Sequence, residues 1–160
     1  MIEIYTVGVY NSSEETFFKK LTDNKIDTFI DVRQRRGVRG AKYSFVNSIK
    51  LQEKLSNLNI RYIHKQDLAP PTEVRDLQKK ADIKKSEVKK NREILDDDFK
   101  VAFENLILNK FDSESFLQSL KMENSSKIVL FCVEENANAC HRSIIAKKIA
   151  TEFNLKIYNL

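Results

Sequence analysis

The sequence has no long hydrophobic run; its apolar stretches are far too short to span a bilayer. It has no basic leader either. Met1 is followed at once by "IEIYTVGVY", which reads as a strand, so no signal peptide is expected. Only 2 cysteines are present. Without an export signal both are expected to be reduced thiols in a cytoplasmic protein. A chain of 160 residues can bury a core without cross-links, so residues 1–160 are expected to form one domain. The 2 prolines are adjacent, Pro70-Pro71, and mark a turn, because neither can pair regularly in a sheet. No internal repeat is visible. What the chain does have is 41% hydrophobic and 32% charged residues, the balance of a globular protein. Its net charge of +5 admits anionic partners but does not separate nucleic acid from a phosphorylated small molecule.

The hydrophobic pattern alternates between two periods. Strands are expected at 2–10, 27–33, 61–65, 127–133 and 155–160, the fourth buried on both faces because its apolar run is nearly continuous. Helices are expected at 13–23, at about 45–57, and in "HRSIIAKKIATEF", where Ile145, Ile149 and Phe153 recur on one face. Residues 72–122 read as an added helical segment, with the Lys-rich part 78–92 a solvated face or a loop. Strands alternating with helices predict an α/β fold: one three-layer domain, a mainly parallel sheet of about five strands, helices on both faces. Sites in such sheets lie at the carboxyl ends of the strands. Tyr10, Asn11, Asp31, Arg33, His64 and Cys132 fall there, and Cys140-His141-Arg142-Ser143 opens the last helix.

The stretch "VLFCVEENANACHRS" gathers both cysteines, one of the 2 histidines and an arginine. A helix start offers unpaired N–H groups, and Arg142 adds a planar donor fork, so Arg142 and Ser143 are candidates for anion binding. The competing reading pairs Arg142 with a local acid, Glu134 or Asp31. We expect Arg142 to point at the strand ends of Asp31 and Arg33, with Asp31 holding its guanidinium. Cys140 at a helix start beside His and Arg should have a lowered pKa and is a candidate nucleophile. The Cys–Arg spacing is not that of the phosphatase or sulfurtransferase loop, and the segment contains no glycine. Cys132, Cys140, His141 and His64 are metal-ligand types, but adjacent Cys140 and His141 make poor geometry for one ion and structural zinc spacings are absent. No metal and no cofactor are therefore expected. Asp31 and Glu134, acids at strand ends, are candidates for proton transfer. The loop "RQRRGVRGAK" carries Arg33, Arg36 and Arg39 among its cations and suits phosphate contacts, or a solvated surface with Arg33 paired to Asp31 or an acid elsewhere. His64 reads as a structural or substrate-contacting histidine, and Tyr43 and Tyr62 as packing residues.

In order along the chain stand "TVG", "DVR", "YIHKQDL" and "CVEENANACHR". This series resembles the domain-of-unknown-function family 488, whose members show T-[IV]-G, D-V-R, Y-x-H-x-x-x-L and C-x-E-x(4)-C-H-R. The resemblance covers nearly the whole chain outside 72–122. It implies an α/β fold and a pocket of Asp31, Arg33, His64, Cys132, Glu134, Cys140, His141 and Arg142. Two positions depart from the pattern: Val9 stands where a polar residue is usual, and "APP" replaces a Gly-rich stretch. The resemblance implies little chemistry. The residues themselves lead to the expectation of an enzyme, a hydrolase or transferase, acting on a nucleotide-like or other phosphate-bearing substrate, with Arg33 and Arg142 holding anionic oxygens, Asp31 or Glu134 transferring protons and Cys140 or His141 assisting. The alternative is a non-catalytic nucleic-acid-binding module using the basic loop 33–42. No membrane partner is expected.

Overall fold

The computed structural model describes residues 2–160. Five strands, β1 (Glu3–Val7), β2 (Thr28–Asp31), β3 (Arg61–His64), β4 (Lys127–Phe131) and β5 (Ile157–Asn159), form one sheet in the order β3-β2-β4-β1-β5. Every pairing is parallel. The apolar run of β4 is explained by its place: Ile128, Val129, Leu130 and Phe131 are all fully buried at the centre of the sheet.

Six α-helices cover the sheet: α1 (Glu14–Asp23), α2 (Ser48–Asn57), α3 (Thr72–Lys84), α4 (Asp97–Leu106), α5 (Ser113–Met122) and α6 (His141–Phe153). Their starts follow capping chemistry. The Ser13 hydroxyl accepts from Thr16 N, the Asp96 carboxylate from Asp98 N, and the Asp112 carboxylate from Ser115 N. Helix α2 begins later than the apolar period predicts. Ser44–Val46 form a 3-10 turn, and Asn47 is extended with its side-chain oxygen accepting from Val38 N at 2.6 Å. The segment 72–122 is helical in three pieces, not continuously; residues 85–96 are irregular apart from a 3-10 turn at Lys89–Asn91.

With the right-handed crossover that parallel strands follow, the strand order puts α1 and α2 on one face, where Phe17, Phe29, Phe45 and Phe131 pack ring against ring. Helices α3, α4 and α6 pack together on the other. Strand β4 lies between β1 and β2, yet its connection leaves to the opposite face from theirs. The carboxyl ends of β1, β4 and β2 therefore border the point where the winding direction switches, the place such sheets reserve for a crevice. Among the described residues no helix is long and apolar enough to cross a membrane.

Candidate functional site

Strand β2 ends in an acid, and the chain must keep that acid paired because Asp31 is fully buried. Arg33 does this as a planar fork: its Nε donates to Asp31 Oδ1 at 2.9 Å and its Nη2 to Oδ2 at 2.7 Å. Arg33 also donates to the Val46 carbonyl and stacks over the Phe131 ring at 4.6 Å. From β3, the Tyr62 hydroxyl donates to Asp31 Oδ2 at 2.9 Å, and His64 Nε2 meets the Arg33 carbonyl at 2.9 Å. Burial and the Asp31 charge push the Tyr62 phenol up to about 12. The D-V-R and Y-x-H motifs are thus two halves of one clasp across β2 and β3. Tyr62, expected only to pack, is part of it.

Arg142 does not meet Asp31, contrary to expectation. It is 1% exposed, and its Nη1 and Nη2 donate to the backbone carbonyls of Glu134 (2.6 Å) and Glu135 (3.0 Å). The reason is local: the loop after β4 turns its carbonyls onto the start of α6, closer than the end of β2. The competing reading had the right neighbour but the wrong atom, since the partner is the Glu134 backbone and not its carboxylate. Ser143 is likewise occupied, its hydroxyl donating to the Cys140 carbonyl at 2.9 Å. The same loop rests on β1. Val9 N and Tyr10 N both donate to the Val133 carbonyl, and a Cβ on Gly8 would lie 1.9 Å from the Glu134 carbonyl oxygen. The glycine of T-V-G is required for that close approach.

Cys132 and Cys140 are free, buried thiols, and their sulfurs lie with His141 in one group whose ligand atoms are all within 4.8 Å of one another. The objection that adjacent Cys140 and His141 could not face one point fails. Cys140 is extended (φ −140°, ψ 142°) as the residue capping α6, and His141 is the first helical residue. Cys140 Sγ sits 3.7 Å from His141 Nδ1, while His141 Nε2 lies 2.9 Å from the Val32 carbonyl. A carbonyl only accepts, so Nε2 carries the proton and Nδ1 faces the thiol. Burial pushes the Cys140 thiol up, but the hydrogen bond from Cys132, the Arg142 charge and the His141 ring outweigh it and hold Cys140 well below the ordinary thiol range. Cys132 is driven well above that range, by its hydrogen bond to Cys140, by burial and by the neighbouring negative charges. Burial pulls His141 down, yet the Cys140 charge raises it overall.

Glu134 is 7% exposed, and burial followed by the Cys140 charge raises its carboxyl pKa. Its Oε1 is held by Arg92 at 3.3 Å and Lys89 at 3.4 Å, while its buried Oε2 has no partner. Arg92 also bridges to Asp82 at 3.0 Å, fastening the 85–96 segment over the site. The Lys-rich stretch is therefore not only a solvated face: Lys89 and Arg92 reach the carboxylate, and neither was singled out by sequence. The signal available was one arginine among lysines, just before the buried Leu95. Tyr10 packs against Tyr43 with ring centroids 5.3 Å apart and the rings tilted at 53°, and the Asn11 backbone N–H donates to the Tyr43 hydroxyl at 2.9 Å. The Asn11 side chain binds Glu135. Lys42 and Lys90, from separate segments, both act on Tyr43. Arg39 is exposed, and Arg36 lies against Tyr62. A groove of about 470 Å³ opens between residues 11–14 and 41–45, beside this cationic rim rather than over the thiols. The structure thus brings together Tyr10, Cys132, Glu134, Cys140 and His141, and turns Asp31, Arg33, His64, Arg142 and Ser143 inward on the protein itself.

Residues 13–149 match the family described as "Domain of unknown function DUF488", and the chain belongs to that family. No curated protein and no solved structure matches it.

Proposed function

We propose that this DUF488 member is an enzyme, a hydrolase or a transferase, that takes a phosphate-bearing substrate at the crevice beside β1 and β4. One observation carries the reading: Glu134 is a buried carboxyl held through one oxygen by two cations, with its second oxygen unpartnered, and the carboxyl as a whole feels the Cys140 charge. A group fixed in place but not consumed by the fold suits proton transfer. Cys140 and His141 form the reactive floor with it. Lys42, Lys89 and Lys90 supply the attraction for anionic oxygens, with Arg36 and Arg39 further out. Asp31, Arg33, His64, Arg142 and Ser143 are positioning residues: each is bonded to the protein, although Arg33 Nη1 and Arg142 Nε have no partner. The test is a thermal-shift screen of nucleotides and phosphorylated metabolites, followed by turnover assays on every binder. Glu134→Gln should keep binding and lose turnover, whereas Lys42→Ala should weaken binding. Absence of any small-molecule binder, or turnover unchanged in Glu134→Gln, would sink the proposal.

A second reading, a nucleic-acid-binding module, draws on the convergence of two exposed basic segments: Arg35, Arg39 and Lys42 in one, Lys84, Lys85, Lys89 and Lys90 in the other. It requires affinity that falls steeply with salt and is indifferent to Glu134→Gln.

A further inference from the structure

The geometry points to a metal centre of the zinc type, built by Cys132 Sγ, Cys140 Sγ and His141 Nδ1. The three ligand atoms come from the end of β4 and the start of α6, and all three residues are buried. Tetrahedral zinc with Zn–S of about 2.3 Å and Zn–N of about 2.0–2.1 Å sets an S···N edge of roughly 3.6 Å. Cys140 Sγ and His141 Nδ1 are 3.7 Å apart without any adjustment. The imidazole is also oriented as a ligand should be. Its Nε2–H is held by the Val32 carbonyl at 2.9 Å, which fixes the tautomer and leaves the Nδ1 lone pair directed at the sulfurs.

A second, independent observation lies at the same place. Glu134 Oε2 is buried and has no hydrogen-bond partner, and the carboxyl stands beside the Cys140 sulfur. It lies outside the group of three mutually close ligand atoms. Three protein ligands with a carboxylate next to the remaining position is the arrangement of an open zinc site, where a water occupies the fourth position. Charge agrees: two thiolates balance a divalent ion, and Lys89 and Arg92 balance Glu134. Two thiolates and an imidazole select zinc over magnesium or calcium, which prefer oxygen. The centre stands on this geometry alone; its use in turnover, with Glu134 accepting a proton from the fourth-position water, rests on the function proposed above.

The full chain, reduced and stripped with a chelator, should be titrated with cobalt(II) and then zinc(II). We expect one cobalt per chain, near-ultraviolet thiolate-to-cobalt charge transfer, and the intense visible bands of tetrahedral coordination, all displaced by zinc. Cys132→Ser and Cys140→Ser should each lose about half of the charge-transfer intensity, as one of two thiolates goes, and bind more weakly. Glu134→Gln should keep that intensity. Should a cysteine variant fail to fold, the wild-type protein still decides: zinc should protect both cysteines from alkylation at partial denaturant. No tetrahedral cobalt spectrum, a spectrum indifferent to both Cys→Ser changes, or alkylation unaffected by zinc would overturn the centre. Metal binding without turnover of any anionic substrate would sink the enzymatic reading and leave the centre standing. Turnover undiminished in chelated protein that shows no cobalt spectrum would do the reverse.

Discussion

Arg142 shows how a residue type can be legible while its partner is not. A guanidinium at the start of α6 fits a carboxylate, a phosphate or a pair of carbonyls equally well, and sequence offered all of them within reach. Only the path of the loop after β4 decides for the carbonyls of Glu134 and Glu135. Arg142→Ala should therefore cost about 2–4 kcal/mol in urea denaturation, since two carbonyl acceptors, that of Glu134 buried, lose a charged donor. Arg142→Lys should recover only part, because one ammonium cannot serve both carbonyls with the same geometry. The thiols give a second prediction, for the metal-free reduced protein. Cys140 should ionise well below the ordinary thiol value of about 8.5, and Cys132 should stay protonated well above it. The depressed Cys140 pKa contributes stability that is present above that ordinary value and lost as pH falls through the lowered one. Thiolate absorbance against pH should show the low step, and Cys140→Ser should abolish it.

At the scale of elements, the loop 133–135 is pinned from three sides: by Gly8 beneath, Arg142 behind and Arg92 above. Gly8→Ala puts a methyl group into the Glu134 backbone and should destabilise by about 1–3 kcal/mol, read by urea denaturation, while displacing the loop. Arg92→Ala removes two of the ion pairs that hold the 85–96 segment, those to Glu134 and Asp82, and leaves Lys89 alone on Glu134. Amide hydrogen exchange in that segment should accelerate at least tenfold while β1, β2 and β4 keep their protection. Strands and helices were readable in sequence because burial imposes its period on the apolar residues, as at β4 and along α6. The start of α2 was not, since Asn47 is drawn away to Val38 by a contact that no local pattern announces. Nor was the docking of 85–96, because a lysine that reaches Glu134 and a lysine in open water look the same in a run of lysines. The C-H-R cluster stood out by composition, and topology explained it: strand ends and one helix start meet at the switch in winding. The pairing of Arg33 with Asp31 and the nearness of His64 were legible, but the bonds from Tyr62 to Asp31 and from His64 to the Arg33 carbonyl were not, since each joins residues 31 positions apart.

At the scale of the molecule, the exposed cations of loop 33–42 and of residues 84–90, at the end of α3 and just after it, lie on the surface, with Lys42 and Lys90 both near Tyr43. Affinity for polyanions should fall linearly on a log–log plot against salt, with a slope set by the number of lysines and arginines engaged; Lys42→Ala with Lys90→Ala should flatten it. A slope unaffected by that pair would place the anion contacts elsewhere. The strand order has a consequence for how the chain comes into being. β1, made first, pairs only with β4 and β5, and β2 is joined to β1 only through β4. During vectorial synthesis β1 therefore waits without a neighbour until residues 127–131 have left the ribosome, and of the sheet only the isolated β2–β3 pair can form before then. A nascent chain arrested before Lys127 holds an orphan apolar strand, the kind of segment chaperones recognise, and the sheet can close only once β4 has been made.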